Sequence, residues 1–302
     1  MKTFISSIAA VFFLSIVGCA SIDEPEATAT QQSDSQNSET IELGQVGLSF
    51  YAVTGGVVQA LLERDGYTVN VTEGSHSEIF PMLGDGQVDI LAATWLPNGH
   101  AELYEPVENV TFQIAPLYEG GRFFWVVPSY VPEETVSSIA DLTKPDVRSQ
   151  FPSEIVSLPE ETGLTVSGRR VVDAYNLDDS GYELTTAEPS EWLGTFESAV
   201  ESQNWVVFPL WQPQWVNAAY DIRRLEDPLN TYGEPDTAYL LGYQDLEDKL
   251  SPDALSRLSN IRLSVEAVTE MDRLVNVEGL TPYEAARSWI DSNSETVESW
   301  GY

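Results

Sequence analysis

The stretch Val88-Asp89-Ile90-Leu91-Ala92-Ala93-Thr94-Trp95-Leu96-Pro97-Asn98-Gly99-His100 decides how this chain folds. Its apolar run, bounded by the Asp85-Gly86 turn and by Pro97, reads as a buried strand. The strand carries Trp95 to its carboxyl end, with a proline two residues on. Trp205-Val206-Val207-Phe208-Pro209-Leu210-Trp211-Gln212-Pro213-Gln214-Trp215 repeats the arrangement with Trp211 and Pro213. In an open α/β domain the ligand crevice lies outside the carboxyl ends of the strands. Two indole faces delivered to such ends form a box. A box of aromatic faces suits a quaternary ammonium cation, which offers charge but no hydrogen-bond donor.

Working outward from the first stretch, Ile41–Ser49 reads as a strand. Val57, Val58, Leu61 and Leu62 mark the buried stripe of a helix ending near Gly66. Tyr67–Val71 alternates as a strand, and Ser77–Leu83 is a short helix. This βαβαβ order predicts a parallel sheet flanked by helices. A second set follows, with strands at Phe123–Val127, Ile155–Leu158, Tyr182–Thr185 and Trp205–Leu210. Its helices are Ser137–Leu142, Val166–Tyr175 and Trp192–Glu201. The C-terminal third reads as helical. Thr281-Pro282-Tyr283-Glu284 forms a capping box ahead of a face bearing Ala285, Ala286, Trp289 and Ile290.

At the N-terminus, Lys2 precedes the apolar stretch Phe4–Val17, which ends in Ile16-Val17-Gly18-Cys19-Ala20. It is too short for a spanning helix and fits a secretory signal over residues 1–18. A small residue before the chain's only cysteine resembles a bacterial lipobox, so Cys19 is the expected lipidation site. Residues 19–40 hold little that can be buried and read as a disordered tether reaching about 25 Å. The body then lies on the outer face of a membrane or in a periplasm.

The chain carries 48 acidic and 14 basic residues, a formal charge of −34 that becomes −35 if Lys2 leaves with the signal. Such a polyanion repels nucleic acid and anionic headgroups. The carboxylates are spread along the whole chain, which reads as a surface for high salt rather than as a cation site.

Enzyme chemistry finds little support. His76 and His100 are the only histidines. There is no Gly-x-Ser-x-Gly elbow and no His-Glu-x-x-His or Cys/His cluster. The Asp178-Asp179 pair lacks the glycine-spaced calcium-loop pattern. No cofactor, no metal and no catalytic residue is expected. The Asn70 and Asn109 sequons are read as incidental.

Several motifs, in order, resemble the substrate-binding proteins of glycine betaine, proline betaine and choline ABC importers. They are Gly86-Gln87-Val88-Asp89-Ile90 leading to Trp95-Leu96-Pro97 and His100, then Val126-Val127-Pro128-Ser129-Tyr130, then Pro159-Glu160-Glu161-Thr162-Gly163-Leu164-Thr165. Trp211-Gln212-Pro213-Gln214-Trp215 and Leu225-Glu226-Asp227-Pro228 with Tyr232-Gly233 follow. The resemblance implies a two-lobed periplasmic-binding-protein fold of the type II kind, each lobe a mixed sheet flanked by helices, with the ligand in the inter-lobe cleft. Lobe I is expected over 41–122 and 223–302, lobe II over 123–222. It also implies a permease and its ATPase as partners.

By the same resemblance, Trp95, Trp211 and Phe123 are the expected cage aromatics. Trp192, Trp205 and Trp215 are read mainly as packing, with Trp192 placed where it can face the cleft, and Tyr118 is intermediate between packing and cage. Choline-type members carry a Trp and an Asp near the end of the first strand, where this chain has Leu48 and Phe50. The missing Asp argues against choline. Many betaine binders have a His where Gln214 stands, and Gln still donates a neutral hydrogen bond. Other expected carboxylate partners are the backbone N–H groups at Gly163, Leu164 and Thr165, at a helix start. The Thr165 hydroxyl joins them, with Phe50, Tyr51 and His100 lining the cleft. The implied ligand is glycine betaine. Proline betaine, choline, carnitine, a sulfonium osmolyte, or a sensing role without transport are the alternatives.

Overall fold

In the computed structural model the described residues are 39–302, so the expected signal peptide, Cys19 and nearly all of the expected tether lie outside them. The first half builds β1 (Thr40–Val46), α1 (Ser49–Arg64), β2 (Thr68–Gly74), α2 (His76–Gly84), β3 (Ile90–Leu96), α3 (Ala101–Tyr104) and β4 (Thr111–Pro128). Next come α4 (Pro145–Arg148), β5 (Glu154–Ser157), α5 (Gly163–Tyr175), β6 (Glu183–Thr186), α6 (Pro189–Glu201), β7 (Phe208–Gln212), α7 (Val216–Ala219) and β8 (Ile222–Arg224). The chain closes with β9 (Asp236–Tyr243), α8 (Leu246–Lys249), α9 (Pro252–Ser259), α10 (Val265–Glu278), α11 (Pro282–Ser292) and α12 (Ser294–Ser299).

β1 pairs in parallel with both β2 and β3, as the alternating order predicts. The sheet runs β2-β1-β3-β9-β4-β7, with β8 on β4. Two features depart from the sequence reading. β9 lies in the middle of the sheet, antiparallel to β3 and to β4, inside a region read as helical. β4 is 18 residues long, not five. Its first half pairs with β9 and its second half with β7 and β8, so this one strand runs from lobe I into lobe II.

Lobe II is therefore built on the second half of β4 with β7 and β8. The parallel pair β5–β6 forms a separate small sheet rather than joining a single one. Pro209 within β7 takes one donor out of that strand's ladder. Contacts with the second half of β4 and with α5 run past residue 222. β8 pairs with Val126–Pro128, Leu225 joins the lobe II core, and Asp227 accepts the Tyr175 hydroxyl at 2.6 Å.

α1 is apolar on nearly every face, with Phe50 through Val58 buried almost without a break. It packs against the sheet on one side and α10 and α11 on the other. α11 starts with the expected capping box: Glu284 accepts from the Thr281 backbone N–H at 2.9 Å. Trp289 on that helix stacks on Trp300, ring centroids 6.1 Å apart. Among the described residues no helix is long and apolar enough to cross a membrane.

Ion pairs include Lys249 with Asp89 at 2.7 Å, Arg257 with Asp65 at 2.8 Å, and Arg273 with Glu270 and Glu278 at 2.9 Å. With 48 acidic residues in the chain, most carboxylates face no counter-charge. Native-state repulsion is screened as the Debye length falls from ~30 Å at 0.01 M salt to ~3 Å at 1 M. The high-salt reading thus predicts a melting temperature that climbs with NaCl or KCl. Thermal melts across that range check it, and a flat series removes the saline reading.

Candidate functional site

In β3 and β7 the last residue but one is a tryptophan, and a cis proline follows each strand directly, at Leu96–Pro97 and Gln212–Pro213. Trp211 lies directly across from Phe123 in the β4–β7 register. From the other side, the first turn of α1 inserts Phe50 and Tyr51. The Phe50 ring stands 5.8 Å from Trp95 and 5.4 Å from Trp211, centroid to centroid. Phe123 lies 5.3 Å from Trp95. The two lobes thus meet on a cluster of aromatic faces, as the strand-end positions predict.

The faces that border the inner cavity are Phe50, Tyr51, Phe123 and Trp211. Trp95 is set one layer back. It is fully buried behind Phe50 and Phe123, and its indole N–H donates to the Tyr118 hydroxyl at 2.9 Å. Trp192 stacks on Trp211 at 5.2 Å and on Phe208 at 4.4 Å, so it backs the Trp211 wall. Trp205 and Trp215 pack against Phe151 and Tyr220, away from the cavity.

The cavity itself is about 20 Å³, room for about one water. It opens on a cleft of about 360 Å³ between the Val46–His76 side of lobe I and the Leu158–Thr162 side of lobe II. Leu48, His76, Leu158 and Thr162 line both spaces. A trimethylammonium group enters only if these walls part.

The polar end of the cavity is built from neutral donors. His100 Nδ1 accepts the backbone N–H of Trp95 at 3.0 Å, which puts the ring proton of the neutral tautomer on Nε2. That proton goes to the Tyr51 hydroxyl oxygen, 3.1 Å away. The hydroxyl proton of Tyr51 is then left to donate at the cavity wall. Burial, and the nearby His76, hold His100 well below the usual histidine range. Burial lowers His76 to about 4. Burial also pushes the Tyr51 hydroxyl up, so it stays protonated. Among the described residues no lysine, arginine or carboxylate borders the inner cavity.

Two helix starts face this end. At α5, Thr162 is the N-cap and its hydroxyl accepts the Thr165 N–H at 3.4 Å. The N–H groups of Gly163 and Leu164 have no intrahelical acceptor, and both residues line the cavity. At α1, Leu48 is the N-cap and Phe50 lies in the first turn. The α1 and α5 starts come from opposite lobes, and each is a favourable place for a negative charge.

Two expected ligand residues point elsewhere. The Thr165 hydroxyl donates to the Leu158 carbonyl at 2.6 Å and lies 2.7 Å from the Ser157 hydroxyl. The Gln214 side-chain oxygen accepts the Val216 N–H at 2.6 Å. Both are buried, and neither borders the cavity. Their polar atoms shape the turns that carry Gly163 and Trp211.

Sequence reasoning missed Asp236, whose carboxylate accepts from the backbone N–H groups of Asn98 at 2.6 Å and Gly99 at 2.9 Å. It fixes the turn after Trp95, from a strand that was not foreseen. It also gave His76 no role at the cavity mouth. The one available signal was scarcity, since only two histidines exist. Among the described residues no group of His, Cys, Asp and Glu could hold a metal ion.

Comparison with known proteins fits this geometry. Residues 39–292 match the substrate binding domain of ABC-type glycine betaine transport systems. The glycine betaine/carnitine transport binding protein GbuC of Listeria monocytogenes is 29% identical over 158 residues. That alignment covers 52% of each protein, so the chain spans about half the length of this curated relative. The solved structure of ProX, a glycine betaine, L-proline ABC transporter binding protein from Borrelia burgdorferi, superposes with a TM-score of 0.77 at 25% identity. It covers 87% of this chain and 96% of ProX. Lactococcal OpuAC, solved closed with glycine betaine, gives the same TM-score at 23% identity, covering 87% and 99%. The expected two-lobed α/β fold is the one these structures share. These relatives are binding proteins of transport systems, not enzymes. With the match running through nearly the whole described body, this chain belongs to the family of substrate binding domains of ABC-type glycine betaine transport systems.

Proposed function

We propose that the protein captures a zwitterionic quaternary ammonium osmolyte, glycine betaine foremost, and delivers it to an ABC permease driven by its ATPase. A lipid on Cys19 would hold it to the membrane while the tether lets the body reach the permease. The observation that carries this reading is the pairing of an aromatic wall with a set of neutral donors. Phe50, Phe123 and Trp211 offer π faces to a methylated cation. The free N–H groups of α5 and the Tyr51 hydroxyl offer partners to a carboxylate. A zwitterion uses both ends.

Choline uses only one. Its hydroxyl finds no carboxylate in the inner cavity, where Leu48 and Phe50 stand. The donors at the α5 start would be left unpaired, which costs about 1–3 kcal/mol per buried group. Titration calorimetry of folded protein in high salt, against glycine betaine, proline betaine, carnitine, choline and a sulfonium analogue, tests the reading. Glycine betaine is expected to bind, with choline weakest. No heat from any of the five sinks the onium reading. Tight choline binding would overturn the carboxylate assignment.

A further inference from the structure

Asp272 on α10 is fully buried, and among the described residues no cation pairs with it. Its carboxylate accepts the backbone N–H of Trp215 at 2.8 Å and the side-chain amide of Asn276 at 2.9 Å. It also hydrogen-bonds the Ser49 hydroxyl. Asn276 in turn donates to Ser49 at 2.9 Å. Burial pushes the Asp272 carboxyl up to about 6. A buried carboxylate without a counter-ion is costly, and it needs a reason to be kept.

The partners supply the reason. α10 packs on α1 and α11 in lobe I. Trp215 caps α7 in the turn after Trp211, and that turn follows β7, which pairs with the second half of β4. Ser49 is the first residue of α1 and precedes Phe50. One side chain thus touches the turns behind two cavity walls that come from different lobes. It does not border the cavity itself.

We propose that Asp272 is the latch of the closed cleft, a positioning residue that ties the Trp211–Trp215 turn of lobe II to the Ser49–Phe50 turn of lobe I. This rests on the ligand reading above only for its affinity arm. When the lobes part, the Trp215 N–H loses its acceptor and the carboxylate regains water. Closure therefore gains a charge-assisted hydrogen bond that the open form lacks. Its loss should appear in the rate at which a bound ligand escapes, since breaking a buried charged bond acts mainly on dissociation.

The test compares wild type with Asp272→Ala and Asp272→Asn. Asp272→Ala should speed glycine betaine dissociation by about tenfold or more, the scale of a lost hydrogen bond to a charged group. Asp272→Asn, which keeps one acceptor oxygen, should fall between. The ligand-free melting temperature should change little, because the carboxylate of the open form is already hydrated. A second arm needs no ligand: the Trp215 amide should exchange with solvent faster in Asp272→Ala, while the Trp95 amide, held by His100, should not change. A fallen melting temperature with unchanged dissociation marks a purely structural residue and overturns the latch. So does equal Trp215 exchange in both proteins. If wild type binds no onium compound, the ligand reading fails, and the exchange arm still decides the latch.

Discussion

Trp211→Ala is expected to weaken glycine betaine binding by about 2 kcal/mol or more, roughly thirtyfold, the scale of a desolvated cation–π contact plus its packing. Trp211 borders the cavity, lies across from Phe123, and is braced from behind by Trp192. Truncation removes one wall and lets water into the box. Trp211→Phe keeps a π face and should lose less. Trp95→Ala should behave differently from Trp211→Ala. Trp95 is fully buried one layer back and supports Phe50 and Phe123, so its loss should lower stability as well as affinity. Trp289→Ala, far off on α11, should cost stability alone. Titrations paired with melts on each variant separate these outcomes. Unchanged affinity in folded Trp211→Ala protein would mean that the wall has been placed wrongly, whatever the ligand.

What the sequence made legible follows from where the information is local. The order β1-α1-β2-α2-β3 could be read because buried parallel strands appear as apolar runs and the intervening helices carry their own stops. Trp211 could be read as a cage residue because it sits at a strand end beside Pro213. Phe50 was harder to place. α1 is apolar almost all round, so periodicity cannot say which of its residues looks into the cleft. β9 escaped because Asp236 and Gly242 are poor strand formers and its partners lie more than a hundred residues away. The first half of β4 was hidden by Pro116, Gly120 and Gly121, which break its apolar pattern.

The polar residues are hard to place for a different reason. Thr165 and Gln214 are the right chemical types for a carboxylate site, yet both spend their oxygens on nearby backbone. Short polar side chains compete locally for turn hydrogen bonds, and a sequence does not show which partner wins. Asp236 and Asp272 are the reverse case. Each is one acid among 48, and only the tertiary fold shows that these two are buried and hold turns in place.

Gly163→Ala should reduce ligand affinity by about tenfold or more while leaving the free protein at least as stable. A Cβ at Gly163 would stand 2.6 Å from the Gly99 carbonyl oxygen and 2.9 Å from the Phe123 ring. The first of these belongs to the turn after Trp95 in lobe I, so the clash lies across the closed cleft. The second is a cavity wall. Neither the backbone of a turn held by Asp236 nor a packed ring yields cheaply, and overpacking of this kind costs about 1–3 kcal/mol. The open form is relieved of the Gly99 clash, and the Phe123 ring, on the same lobe as Gly163, is freed there to turn aside. Gly163 is the first residue of α5, in ordinary helical conformation, where alanine is the better helix former by up to about 1 kcal/mol. The substitution therefore sets closure against stability, and the two can be read apart by melting the ligand-free protein and titrating it with glycine betaine. Retained affinity would show that the lobes close without bringing Gly99 onto Gly163. Loss of stability in the free protein would show that the glycine serves α5 itself rather than the approach of the two lobes.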